Sequence, residues 1–204
     1  AISYVLIMEE LSKIDASASV IVSVNNSLVC YGLEAYGSEA QKQKYLTKLA
    51  TGEFVGAFCL SEPEAGSDAT SQATTAIDKG HHYVINGTKN WITNGGRSDV
   101  YLVIAQTDRS KGHRGINAFI VEKGMEGFSA PEMHGKHSLR ASITGELIFE
   151  NVKVPKENLL PNKSGLGAPL GCLDSARFGI AWGAIGAAMD CYDSALRYSK
   201  ERIQ

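Results

Sequence analysis

The chain changes hydrophobic period twice. Up to about residue 50 the apolar positions recur at helical spacing: Ile2, Val5, Leu6, Met8 and Leu11 define a first helix that ends near Asp15. A second helical stretch, SASVIVSVNNSLVCYGLEAYG, is rich in small residues and closes at Gly37. A third opens with Ser38 as N-cap and Glu39 in its first turn, and sets Tyr45, Leu46 and Leu49 as an apolar stripe. From Gly52 to about Pro161 the period falls toward two, in FVGAFCL, HYVINGTKNWIT, DVYLVIAQT, INAFIVEKG and GELIFENVKV. Asn86-Gly87, between HYVI and TKNWIT, predicts a hairpin. From about Gly165 to the last residue the pattern is helical again, with alanine and glycine dominating the middle. Helices, then strands, then a long helix predict an α+β chain whose five to seven strands form an antiparallel barrel or sandwich.

Composition narrows the function classes. The chain has 204 residues, 44% apolar and 21% charged, the profile of an ordinary globular protein. A net charge of −2 leaves no basic excess for nucleic acid. Cys30, Cys59, Cys172 and Cys191 show no CxxC spacing and read as reduced thiols in a core rather than disulfides or metal ligands. No apolar run reads as long enough to span a bilayer. Both ends read as interrupted, because the first residues already look mid-helix and DSALRYSKERIQ lacks a stop signal.

Two stretches could carry chemistry. In LSEPEAGSDATS, Pro63 fixes φ and Gly66 permits positive φ, so the chain turns there and offers hydroxyls and free amides to an anion or polar ring. Alone, it reads as well as a solvated surface loop. In NWITN, Trp91 and Thr93 alternate onto one face of a strand, which suits a flat aromatic ligand or, more commonly, a barrel wall. His134 and His137 form an HxxH with no third ligand, so no metal site is expected.

FCLSEPEAGSDATS followed by INGTKNWITN resembles the flavin-binding signature of the acyl-CoA dehydrogenase family. RGINAFIVEKG, LRASITGELIFENVKVP, the helix carrying Arg177 and the closing KERIQ follow in that family's order, so the resemblance takes in nearly the whole chain. It implies that residues 1–51 end an N-terminal helical domain, 52–161 form a middle β-domain and 162–204 begin a C-terminal helical bundle. FAD would be clamped between β-domain and helices. Phe58, Leu60, Ser61, Gly66 and Ser67 would line the flavin and its pyrophosphate. Trp91, Ile92 and Thr93 would flank the isoalloxazine, with the Thr93 hydroxyl near N5, and Arg202 would reach FAD across a subunit interface. Ser19, Ser23, Ser67, Leu170, Gly171, Leu173, Asp174 and Arg177 would lie on the acyl-CoA side.

The implied reaction is α,β-dehydrogenation of a thioester, with electrons handed to an electron-transfer flavoprotein. The family's catalytic carboxylate lies late in its C-terminal domain, so it is expected beyond residue 204, and this chain alone is expected not to turn over. SVNNSLV and the stretch up to about Gly124 are similar to short-chain acyl-CoA dehydrogenases. EKGMEGFSAP, GKHSLRASITGELIF and GCLDSARFGIAWG are similar to glutaryl-CoA dehydrogenase. The latter pairs its substrate's distal carboxylate with an arginine where this chain has the neutral Ser19, which favours a short uncharged acyl group. The alternatives are the glutaryl enzyme, an acyl-CoA oxidase and a non-catalytic flavin- or acyl-CoA-binding relative. The family further implies a homotetramer, in bacterial cytoplasm or the mitochondrial matrix.

Overall fold

The computed structural model describes residues 2–204 and is α+β. Helix α1 covers Ile2–Ile14. Asp15 leaves helical geometry and its carboxylate accepts from the Ser17 and Ala18 amides, capping α2, Ala16–Tyr36. The middle of α2, Val24–Cys30, has the wider i→i+5 hydrogen bonding. Ser38 and Gln41 form a reciprocal capping box at the start of α3, residues 39–51, and Gly52 ends it in the left-handed region. Contrary to the sequence reading, α2 is long and apolar enough to cross a membrane by length and composition, but 44% of that window is buried inside the fold. Its Leu28, Val29 and Leu33 belong to the core, which accounts for its apolarity.

Seven strands follow: β1 Gly56–Cys59, β2 Thr75–Asp78, β3 His82–Thr93, β4 Val100–Gln106, β5 Ile116–Glu122, β6 Phe128–Ser129 and β7 Thr144–Pro155. They order β1-β4-β2-β3-β7-β6, with β5 on β4, and curl into a half-barrel. Pairing is not wholly antiparallel. β1 runs parallel to β4, and β2 meets the far end of β4 in parallel at Thr75 and Gln106. The loop 60–74 therefore bridges two stations on one edge of β4. Both sheet faces are buried. Phe58, Leu102, Ile104 and Ile120 meet the helices, while Ala57, Tyr101, Val103, Phe119 and Leu147 fill the barrel interior.

Asn86-Gly87 makes no hairpin. β3 runs straight through it, because the Asn86 side chain accepts from the Asn151 amide across the strand pair at 2.9 Å, backing a bulge in β7. Gly87 is needed for close approach instead: a Cβ there would lie 2.4 Å from the Thr74 hydroxyl. The long helix α4, Gly167–Glu201, lays Cys172 and Ala176 into the helix-facing core. At Gly186 an added Cβ would stand 2.1 Å from the Glu9 carbonyl, so small residues let α1 and α4 touch. Of the four free thiols, Cys59 and Cys172 are buried and Cys30 half-buried, but Cys191 is exposed rather than in the core. Burial pushes the Cys172 thiol up to about 12.

Candidate functional site

A cleft of about 170 Å³ opens where β1 and β3 meet the helices, lined by Val24, Leu28, Phe58, Leu60, Ser61, Trp91, Ile92, Thr93 and Leu173. Each lining residue is brought by a different device. Val24 and Leu28 come from the widened segment of α2, where Asn25 also accepts from the Gly56 amide at 3.0 Å and ties that helix to the root of β1. Phe58 and Leu60 are the last helix-facing residues of the β1 run, and Leu173 comes from the first turns of α4.

Trp91 reaches the cleft through a bulge. Strict alternation from Ile85 and Lys89, both fully buried, would drive Trp91 and Thr93 into the barrel interior. Between Lys89 and Ile92 the register with β7 gains one residue on β3, and Trp91 takes φ 60°. Ile92 then fills the interior position at 2% exposure, while the indole turns out and is 66% exposed. A positive φ on a bulky residue is strained, on the order of 1–3 kcal/mol. The Asn90 side chain, accepting from the Trp91 amide at 3.0 Å, helps hold it. The expected Trp91–Thr93 face exists, but the extra residue sets its direction rather than strand alternation alone. On its other side the indole borders a second depression with Met133, His134, Gly135, Lys136 and His137.

Loop 60–74 is built differently from the sequence reading. The turn is closed by reciprocal amide–carbonyl bonds between Glu62 and Ala65 at 3.0 and 3.1 Å, with Pro63 inside it. Gly66 is not among the residues at positive φ, and nothing stands within 4 Å of where its Cβ would be. The Thr70 and Ser71 hydroxyls are turned onto Asp68 rather than held free. The missed feature is below the turn. Lys89, with a 0% exposed side chain, donates to the Leu60 carbonyl at 3.0 Å, to Glu62 at 2.7 Å and to the Gln72 side chain. Glu62 in turn accepts from the Ala73 amide at 2.6 Å and the Thr74 amide at 3.1 Å. Burial pushes the Glu62 carboxyl up, but the ammonium and these amides outweigh it and hold it below the ordinary glutamate value. A signal was present: Lys89 shares the inward face of β3 with Ile85, and a buried lysine demands a carboxylate.

Of the sequence-predicted residues, Phe58, Leu60, Ser61, Trp91, Ile92, Thr93 and Leu173 meet in the cleft. Gly66 and Ser67 are exposed on the loop and do not line it. Ser19 and Ser23 lie in the seam between helices: Ser19 accepts from the Ser12 hydroxyl at 2.7 Å, and Ser23 accepts from the Tyr4 hydroxyl at 3.2 Å. Leu170 is exposed, Gly171 packs against Tyr36, and Asp174 pairs with Arg177 at 2.8 Å on an exposed face. Arg202 caps the far end of α4 and donates to the Tyr198 hydroxyl, about 50 Å from the helix start at 1.5 Å per residue.

Two models of one family match this chain: the acyl-CoA dehydrogenase N-terminal domain over residues 1–53 and the acyl-CoA dehydrogenase middle domain over residues 57–152. The chain belongs to the acyl-CoA dehydrogenase family. It is 48% identical, over its whole length and 54% of the relative's, to the short-chain specific acyl-CoA dehydrogenase of Clostridium acetobutylicum. Among solved structures it superposes with TM-score 0.95 and 50% identity on a chain described with the electron transferring flavoprotein of Acidaminococcus fermentans, over 99% of this chain and 53% of that one. The same TM-score, at 44% identity, relates it to glutaryl-CoA dehydrogenase from Mycobacterium smegmatis in complex with FADH2, over 99% of this chain and 51% of that one. The chain thus spans about half the length of the relatives it matches.

Proposed function

We propose that the protein carrying this chain is an FAD-dependent dehydrogenase that converts a short-chain acyl-CoA to its 2-enoyl-CoA and passes the electrons to an electron-transfer flavoprotein. The observation that supports it is the meeting of Phe58–Ser61 with Trp91–Thr93 in one cleft, segments far apart in sequence. The donor set suits a flavin ring. Phe58, Leu60, Leu28 and Leu173 are apolar enough for its faces, the outward indole can cover it, and the Ser61 and Thr93 hydroxyls can meet its polar edge. When bound, FAD supplies a hydride acceptor for the substrate's β-carbon.

The chain's own residues would orient that ring and keep water from it. Among the described residues, the cleft lining contains no carboxylate. We therefore assign removal of the α-proton to a carboxylate that is not one of these lining residues. Ser19 bears on the acyl group. It is neutral and sits in the helix seam bonded to Ser12, at the position where the resemblance to the glutaryl enzyme expects an arginine, so that position offers a dicarboxylate no cation. Gly66, Ser67 and Arg202 are assigned to the cofactor's outer parts, Arg202 in a second subunit of a homotetramer. Ser23, Leu170, Gly171, Asp174 and Arg177 are assigned to the acyl-CoA side. With this reading go the division into 1–51, 52–161 and 162–204 and a location in bacterial cytoplasm or the mitochondrial matrix.

The test is anaerobic titration of the purified full-length protein. It is expected to carry FAD whose visible absorption bleaches with butyryl-CoA and far less with glutaryl-CoA. A preference for glutaryl-CoA would overturn the Ser19 argument, and an absence of bound flavin would overturn the whole reading.

A further inference from the structure

The buried lysine under the cleft has a role that the cleft itself does not explain. An ammonium has three protons, and those of Lys89 have three acceptors: the Leu60 carbonyl, Glu62 and Gln72. All three lie on one loop, and Leu60 lines the cleft. The Gln72 side chain also donates to the Leu60 carbonyl, at 3.1 Å. One residue further along, the Asn90 amide donates to the Ser61 carbonyl at 2.8 Å. Lys89 is also the last residue of β3 in register before the bulge that turns Trp91 outward. The two walls of the cleft, Leu60–Ser61 and Trp91–Thr93, are therefore joined beneath it by one fully buried cation.

We infer that Lys89, with Glu62 and Gln72, is a positioning residue for the flavin: it sets the separation and tilt of the two cleft walls without touching the ring. The inference rests on the flavin reading above. Glu62 serves as the counter-charge that makes a buried ammonium tolerable, and it anchors the far side of the loop through the Ala73 and Thr74 amides. A loosened Lys89 would let the Leu60–Ser61 wall move independently of the indole, and displacements near 1 Å in a preorganised site cost about tenfold or more.

The experiment uses full-length holoenzyme and compares FAD dissociation constants, visible circular dichroism of the bound flavin and unfolding temperature. The variants are Lys89→Met, the charge-neutral pair Lys89→Met with Glu62→Gln, and a control, Val154→Ala. Val154 is a buried barrel residue paired with Tyr83 at the opposite end of β3. Positioning predicts that both Lys89 variants weaken FAD by about tenfold and alter its dichroism, while the control lowers the unfolding temperature and leaves both flavin readouts unchanged. Should Lys89→Met not fold, the neutral pair carries the test. Lys89 variants that hold FAD as tightly as wild type with unchanged dichroism would overturn the inference alone. So would a control that weakens FAD to the same extent, since loss of stability would then suffice. Wild-type protein that takes up no FAD would instead defeat the flavin reading, and the inference with it.

Discussion

Lys89 meets Glu62 at 2.7 Å, and Lys44 meets Glu122 at 2.8 Å. The side chains of the first pair are 0% and 3% exposed, those of the second 59% and 39%. The exposed pair joins α3 to the end of β5 and shares its carboxylate with the Tyr45 hydroxyl at 2.6 Å. Water solvates both partners whether or not they meet, so the contact changes little. The buried pair has no such alternative. Each charge lost its hydration on folding, and only the partner and a closed set of amides and carbonyls replace it. Near-identical distances thus describe one contact that decorates a seam and another that dictates where a loop must lie.

Removing one member of each pair should separate them most sharply. Glu62→Ala leaves Lys89 charged in a dry site and strands the Ala73 and Thr74 amides, so a loss of about 3–5 kcal/mol is expected in denaturant unfolding. A loss under about 1 kcal/mol would show that water reaches Lys89 and would place the two pairs in one class.

Acid should report the same carboxylate. Glu62 is held below its ordinary value of 4.5 in the folded chain. On unfolding it returns to that value, so in the window below about pH 4.5 the unfolded chain binds more protons. Its stabilisation is therefore present above that window and is lost as pH falls through the folded value. Glu122 shifts in the same direction, burial again opposing and Lys44 and Tyr45 prevailing, but its exposure screens the effect. Glu62→Gln is expected to flatten the acid limb of the stability curve more than Glu122→Gln does. Equal flattening would count against the burial argument.

Much of this organisation was legible in sequence because it rests on local signals. The helix end near Asp15, the Ser38 cap, the change of period at Gly52 and the strand runs of β1, β4 and β5 follow from residue type and spacing, whereas the conjunction of Phe58–Ser61 with Trp91–Thr93 was expected from the family resemblance alone. What escaped depends on partners distant along the chain. Asn86-Gly87 carries the chemistry of a hairpin turn, yet Asn151 and Thr74, 65 residues away in one case, make it a strand interior. Glu62 looks like a solvated surface charge until β1, β3 and the loop are brought together, and Lys89 gives itself away only by sharing the inward parity of Ile85. The parity change at Trp91 needs a register count against β7, which no single strand contains. Val24 and Leu28 enter the cleft through a widened helical segment that leaves no local trace in SVNNSLV.

The smallest effect belongs to the exposed pair, and it carries the sharpest check on the comparison. Lys44→Ala removes an ammonium that is more than half exposed, leaving Glu122 with the Tyr45 hydroxyl and with water. A loss of about 0.2–1 kcal/mol is expected at low salt. Raising the ionic strength to about 1 M, where the Debye length falls to about 3 Å, should remove most of even that difference between variant and parent. The Glu62→Ala loss should persist in the same salt series, because mobile ions cannot enter a site whose side chains are 0% and 3% exposed. If both losses faded together with salt, the division between the pairs would be one of degree, and Lys89 would lose its claim to fix the cleft.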